Sequence, residues 1–231
     1  MDNLNNILFI NTGGGIGDAL TSVPTLNYIN DNLKPKNLYY FSTDLGNFWF
    51  DTKLQEYKPD NLITVKSFPE HFGFRDHHMK VSKDVIKNFE FDEFDLIIDN
   101  QTRFKNTLIY RKIPHKYYVS PCLNYLMSKP ITFMRKREIF ANRIIDYFNK
   151  IKKLNIKPNY KISIPNNFIN EAKKLISNEN YIGFSITAGH PTRVKEINYD
   201  EIVKVANYFS DKFIPTFFIE NKFQELIAKI K

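Results

Sequence analysis

The sequence predicts an α/β protein: a parallel sheet with helices on both faces, followed by a second, smaller unit of the same kind. Three observations lead there. Short apolar runs alternate with longer mixed segments, which is the spacing of βαβ units. The first run, residues 7–11, enters a glycine loop and then a helical pattern. The alternation is interrupted once, by the Asn-rich stretch 155–167 carrying Pro158 and Pro165, and then restarts; prolines in such a polar stretch mark a linker.

Taken in order, residues 7–11 form the first strand. Gly13, Gly14, Gly15 and Gly17 form the loop after it, and a helix is expected over 18–32. Residues 37–42, 61–66, 94–99 and 116–120 read as further strands, with helix-like stretches at 82–89 and 103–112 between them. Ile139, Arg143, Ile144, Tyr147, Phe148 and Ile151 recur at helical spacing and predict an amphipathic helix over 135–153. The domain boundaries follow: 1–154, a linker at 155–167, and 168–231. The last segment should hold a helix at 168–177, a strand at 181–186, a helix at 199–209, a strand at 213–219 and a helix at 221–231.

Composition excludes several classes. The 231 residues are 42% hydrophobic and 25% charged, ordinary values for a globular chain, which argue against disorder, collagen and coiled coil. No apolar run approaches the roughly 18 residues of a membrane span. The opening MDNLNNILFINTGGG lacks the basic start of a secretory signal. The single Cys122 allows no internal disulfide, so a reducing cytoplasm is expected.

The net charge of +8 is unevenly spread. Residues 101–153 hold thirteen Lys/Arg against two acids, Glu138 and Asp146, while the remainder has slightly more acids than bases. A basic middle on a near-neutral remainder suits an anionic partner: phosphorylated glycan, lipid headgroups or nucleic acid. It also suits a solvated helix face, as at Arg135-Lys136-Arg137. Phe104, Tyr110, Tyr117 and Tyr118 interleave with the basic residues, which would allow base stacking. No named nucleic-acid motif is present, however, and no nucleic-acid partner is expected.

The glycine loop can be tested against known phosphate grips. Counted from Gly13, Asp18 stands where both the Walker A motif and the dinucleotide fingerprint require their later glycine, and no Lys follows. A carboxylate at a helix N-terminus competes with phosphate for the positive end of the helix dipole. A dehydrogenase reading, with Asp44 as ribose ligand, fails at the same residue. Two roles remain for Asp18: a helix cap, or a general base beyond the carboxyl end of the first strand, where open α/β sheets bind ligands.

The second glycine-containing loop, GFSITAGHPTRVK from Gly183 to Lys195, has the opposite character. Thr187, Gly189, Arg193 and Lys195 offer a hydroxyl, backbone donors and cations with no acid before Glu196, which suits a diphosphate; a plain polar loop has the same composition. For metals, His71, Arg75, Asp76, His77 and His78 cluster, but adjacent histidines and no nearby Cys make poor ligands. No Asp-x-Asp occurs, and no metal or other cofactor is expected.

Together, ILFINTGGGIGDALTSVPTL at 7–26, FDLIIDNQTRFKNTLIYR at 94–111 and the 181–206 segment resemble glycosyltransferase family 9, the ADP-heptose:lipopolysaccharide heptosyltransferases and their relatives. The resemblance implies a GT-B-like fold of two Rossmann-like domains. It further implies an inverting, metal-independent transfer of a heptose-like sugar from a nucleotide-diphospho-sugar to a glycan acceptor such as lipopolysaccharide core. By position, Asp18 matches the catalytic base. Thr187, Gly189 and Lys195 match the donor diphosphate loop, with Arg193 as the alternative cation. Gly14, Gly15, Gly17, Arg103 and Lys105 match the acceptor side.

A cytoplasmic protein touching the inner membrane peripherally would follow. Departures are visible: Lys195-Glu-Ile-Asn198 replaces Lys-Arg-Trp-Pro, Thr102 replaces Gly, and the second domain is short, without the later C-terminal motif. The alternative expectation is an inactive or split transferase completed by a second chain.

Overall fold

A computed structural model of the chain describes residues 4–64, 80, 82–83, 85–100, 102–135, 139–176, 180–185, 198–219 and 227. The chain divides into two compact units between Ser163 and Ile164, within the Asn-rich stretch.

Among the described residues, the first unit is built on five parallel strands: β1 (Asn6–Ile10), β2 (Asn37–Ser42), β3 (Asn61–Thr64), β4 (Phe94–Asp99) and β5 (His115–Val119). Their order is β3-β2-β1-β4-β5, so the chain reverses its direction of travel across the sheet between β1 and β4. Helices α1 (Ile16–Tyr28), α2 (Asp44–Thr52), α3 (Phe104–Tyr110) and α4 (Phe140–Lys152) cover it. The central strands are apolar on both faces because both faces are covered. Ile7, Phe9, Tyr40 and Ile98 pack with Val23 of α1, Phe50 of α2, and Ile144 and Phe148 of α4. Leu8, Ile10, Phe41 and Ile97 pack on the opposite side with Ile109 and Tyr110 of α3.

Three details depart from the sequence expectations. Helix α1 starts at Ile16, with Gly15 as its N-cap, so Asp18 lies inside the first turn rather than opening it. It ends in a wide turn over Ile29–Leu33 that stops at Lys34 in the left-handed region, φ 47°. Helix α4 begins at Phe140, not near residue 135. The preceding chain runs back along α4, held by hydrogen bonds from Tyr147 Oη to the Pro130 carbonyl (2.7 Å) and from Lys150 Nζ to the Phe133 carbonyl (2.6 Å). The helix expected over 221–231 lies outside the described residues, apart from helical Ile227.

At the N-terminal edge of the sheet, opposite the ligand-binding edge of such folds, Asp95 ties three segments together. Its Oδ2 accepts the N–H groups of Asn5 and Asn6, each at 2.9 Å, and its Oδ1 pairs with Lys116 Nζ at 2.7 Å. Burial pushes the carboxyl pKa up. The Lys116 hydrogen bond, the two backbone donors and the Lys116 charge outweigh that and hold it below the ordinary carboxylate value. A depressed pKa contributes stability that is complete above the unfolded value and is lost as pH falls through the folded one. Asp95→Ala, which strands two backbone donors, should cost about 1–3 kcal/mol at neutral pH. In thermal melts the gap to the native chain should narrow as pH falls below about 4, when protonation removes the pairing with Lys116.

The second unit contains α5 (Asn166–Leu175), β6 (Tyr181–Ser185), α6 (Tyr199–Phe209) and β7 (Ile214–Phe218). Strands β6 and β7 are parallel, and Phe184 stacks on Phe217 with ring centroids 5.1 Å apart. Asn198 caps α6 by accepting the Glu201 N–H. This is a βαβ unit of the same kind as in the first sheet.

Candidate functional site

The loop from β1 into α1 is held from several sides. Asn11, buried at the end of β1, donates through Nδ2 to the Asp18 carbonyl (2.9 Å) and to Tyr40 Oη (3.1 Å), while its Oδ1 accepts the Gly13 N–H at 3.4 Å. Burial raises the Tyr40 pKa to about 12, with the Asp18 charge a minor contribution in the same direction, so the phenol stays neutral. On the α2 side, Trp49 Nε1 donates to the Gly14 carbonyl at 3.0 Å. A Cβ on Gly46 of α2 would lie 2.9 Å from the Gly13 carbonyl oxygen, so α2 sits directly against the loop.

Asp18 points back over this loop. Its Oδ2 accepts the Gly15 N–H at 3.1 Å, and its side chain is exposed. Among the described residues no other group hydrogen-bonds the carboxylate, leaving Oδ1 to solvent or substrate. Asp18 is therefore not the N-cap itself: it stands three residues on and its carboxylate reaches back to the N–H of the N-cap Gly15. No described glycine has a positive φ. Gly13, Gly14 and Gly15 meet a need for space rather than for unusual backbone angles, whereas a Cβ on Gly17 would meet nothing within 4 Å. At Gly13 that need is acute, because a Cβ would lie 2.5 Å from both Cβ and Oδ2 of Asp18.

The neighbouring wall comes from β4 and α3. The Asn100 N–H donates to the Ile10 carbonyl at 3.0 Å, placing the chain after β4 directly beside the end of β1. The Asn100 side-chain amide is buried, and neither Nδ2 nor Oδ1 finds a partner among the described residues. One residue earlier, the buried Asp99 accepts from Thr107 Oγ1 (2.7 Å) and Tyr118 Oη (2.8 Å). Burial, then the Asp99 charge and hydrogen bond, keep Tyr118 protonated to high pH. This network fixes α3 to the sheet. Arg103 is the N-cap of α3 and Lys105 lies in its first turn, both exposed. Tyr110 of α3 reaches Thr12 of the glycine loop at 3.5 Å, linking the two walls.

Asp18, Gly14, Gly15 and Gly17 thus lie on the first strand-to-helix connection, and Arg103 and Lys105 on the one after β4. Both stand at the carboxyl ends of adjacent strands, where the sheet order reverses; that is where open α/β sheets bind ligands. Thr187, Gly189, Arg193 and Lys195 lie outside the described residues, as do His71, Arg75, Asp76, His77 and His78. Among the described residues no cluster of three or more potential metal ligands occurs. None of their helices is long and apolar enough to cross a membrane. Tyr110 and Tyr118 are fully buried, which removes them as nucleic-acid stacking platforms.

Asn11, Trp49 and Asn100 were not singled out by sequence. For Trp49 a signal existed: Thr43 followed three residues later by Gly46, whose N–H it accepts at 3.1 Å, opens the helix that carries the indole.

Neither a protein-family model nor a curated protein matches the sequence. Solved structures do. A family 9 glycosyl transferase from Veillonella parvula aligns over 99% of this chain and 66% of its own, with TM-score 0.58 and 18% identity. The heptosyltransferase WaaC of E. coli, solved with ADP, aligns over 96% of this chain and 69% of its own, with TM-score 0.58 and 15% identity. A UDP-GlcNAc 2-epimerase from Methanocaldococcus jannaschii aligns over 97% of this chain and 68% of its own, with TM-score 0.52 and 11% identity. This chain thus spans 66% of the length of the Veillonella protein. Identities this low establish the fold and not the reaction. The chain has the GT-B-like α/β fold seen in glycosyltransferase family 9 and the heptosyltransferases.

Proposed function

We propose that the chain is a glycosyltransferase that moves a heptose-like sugar from a nucleotide-diphospho-sugar to an anionic glycan acceptor such as lipopolysaccharide core. The observation carrying this is the Asp18 carboxylate: exposed, positioned through its own helix turn, and standing at the carboxyl edge of the sheet in a fold shared with such enzymes. In the reaction, Asp18 takes the proton of an acceptor hydroxyl as that oxygen forms its bond to the anomeric carbon. The bond from that carbon to the diphosphate oxygen breaks, and a single displacement inverts the configuration. Charge gathering on the departing nucleoside diphosphate is met by Lys195 or Arg193, Thr187 and loop N–H groups. Arg103 and Lys105 attract the anionic acceptor. No metal enters this scheme, and a chelator leaves turnover unchanged.

Isothermal titration with ADP-sugars tests the donor side. Saturable binding is expected, and Lys195→Ala should weaken it by about 10-fold or more while acceptor binding is nearly unaffected. Equal losses for both substrates would remove Lys195 from the phosphate role. A chain that binds no nucleotide sugar at all would be an inactive relative of the enzyme.

A further inference from the structure

The connection from β5 to α4 contains a feature the sugar-transfer reading does not use. Four large apolar side chains within eleven residues stand in solvent: Leu123 (52% exposed), Leu126 (46%), Ile131 (72%) and Phe133 (65%). They belong to a stiff frame. The chain doubles back so that Tyr118 and Lys129 exchange backbone hydrogen bonds at 3.1 and 2.7 Å, and Ser128 Oγ links to both the N–H and the carbonyl of Ser120. Leu123, Asn124 and Tyr125 are all left-handed, with φ of 48°, 54° and 69°, a run that L-residues hold only when their surroundings impose it.

Tyr125 supplies that constraint from below. It is fully buried, stacks on Tyr147 of α4 with centroids 5.6 Å apart, and donates to the Arg143 carbonyl at 2.7 Å. The two legs of the loop meet where the Met134 N–H donates to the Asn124 carbonyl at 3.3 Å. This brings the backbone at Leu123 close to that at Phe133. Loops ordinarily expose polar side chains; here a loop with a buried anchor carries apolar ones on its outside.

Charge says what covers them. Residues 120–135 contain no acid, and the exposed Lys129 and Arg135 flank the apolar positions. The wider 101–153 segment carries thirteen basic residues against two acidic ones. Exposed apolar side chains interspersed with cations in a loop without acids match an anionic bilayer, whose headgroups take the charges while its acyl boundary takes the side chains. The loop follows β5 and so rises from the same sheet edge as Asp18, Arg103 and Lys105. We propose that residues 121–135 form a membrane-docking loop for a bilayer surface rich in anionic phospholipid, with Leu123, Leu126, Ile131 and Phe133 as the inserting side chains.

This goes beyond the sugar-transfer reading and is tested without either substrate. The full chain is sedimented with phosphatidylcholine vesicles, with and without phosphatidylglycerol. Binding is expected only where phosphatidylglycerol is present and should weaken with salt. The double variant Ile131→Ser/Phe133→Ser, altered only at exposed positions, should lose about 10-fold or more of that binding with an unchanged melting temperature. Phe133→Trp should show a blue-shifted emission change on vesicles relative to the native chain. Absence of vesicle binding, equal binding by the double variant, or an unshifted emission from the Phe133→Trp variant would overturn the proposal. So would concentration-dependent self-association that the double variant abolishes, since the apolar positions would then belong to a contact between copies. None of these outcomes bears on turnover with a soluble acceptor, so the two readings fail separately.

Discussion

Asp18→Asn is expected to lower turnover by about 10²–10⁴-fold, the usual contribution of a positioned base, while substrate affinities stay near native. The argument depends on what the substitution keeps. Asp18 has two jobs at one carboxylate: Oδ2 accepts the Gly15 N–H and closes the first turn of α1, and Oδ1 is open. Asparagine can still present an oxygen to Gly15. It loses the negative charge that favours a helix N-terminus, worth about 0.3–1 kcal/mol, and it cannot take a proton. Circular dichroism and a melting curve close to native, with transfer gone, is therefore the signature of a base. Asp18→Ala should lose transfer equally and also lose the hydrogen bond back to the Gly15 N–H, about 0.5–1 kcal/mol. Native turnover in the Asp18→Asn variant would reduce Asp18 to a helix cap.

Gly13→Ala carries the second large effect, and it acts through the same carboxylate. A methyl at position 13 would sit 2.5 Å from Cβ and Oδ2 of Asp18, far inside contact distance. The loop cannot simply back away. Asn11 holds the Gly13 N–H, α2 packs on the Gly13 carbonyl side through Gly46, and Trp49 holds the next carbonyl. The side chain of Asp18 must move instead. A displacement of about 1 Å at a reacting group can cost about 10²-fold in rate, and at least that drop in kcat is expected. Rotation of the Asp18 side chain moves Oδ2 but not its Cβ, so the first turn of α1 must shift as well, and a stability loss of about 1–3 kcal/mol is expected. Gly17→Ala is the internal comparison: a Cβ there meets nothing within 4 Å, so the fold and the position of Asp18 should be retained, and any loss should appear in acceptor binding rather than in kcat. If both alanine variants turn over equally, the crowding at Gly13 has no bearing on the chemistry.

The central sheet was legible from sequence because its strands are short runs with apolar centres. β2 and β4 match the runs at 37–42 and 94–99 end for end, and α6 matches 199–209. What escaped had no periodic signal. Helix α2 carries Phe48, Trp49 and Phe50 in a row, and a contiguous aromatic run shows neither a helical nor a strand period. Helix α4 was drawn too long because Arg135 is basic and helix-compatible, whereas Ile139 is its extended N-cap and hydrogen bonds from Tyr147 and Lys150 hold Pro130 and Phe133 back along the helix. At the site, the motif at 13–18 drew attention to Asp18, but not to the crowding at Gly13 by its carboxylate and by α2; the approach of α2 is a tertiary fact that local sequence does not contain. The orphaned Asn100 amide was invisible for the same reason: only a count of hydrogen-bond partners in three dimensions shows it.

The indole bonded to the Gly14 carbonyl is the chain's sole tryptophan. Indole emission from the native protein therefore originates beside the turn that presents Asp18, with no second tryptophan to dilute it. A change in the conformation of that turn can thus be followed by light alone, on unlabelled material.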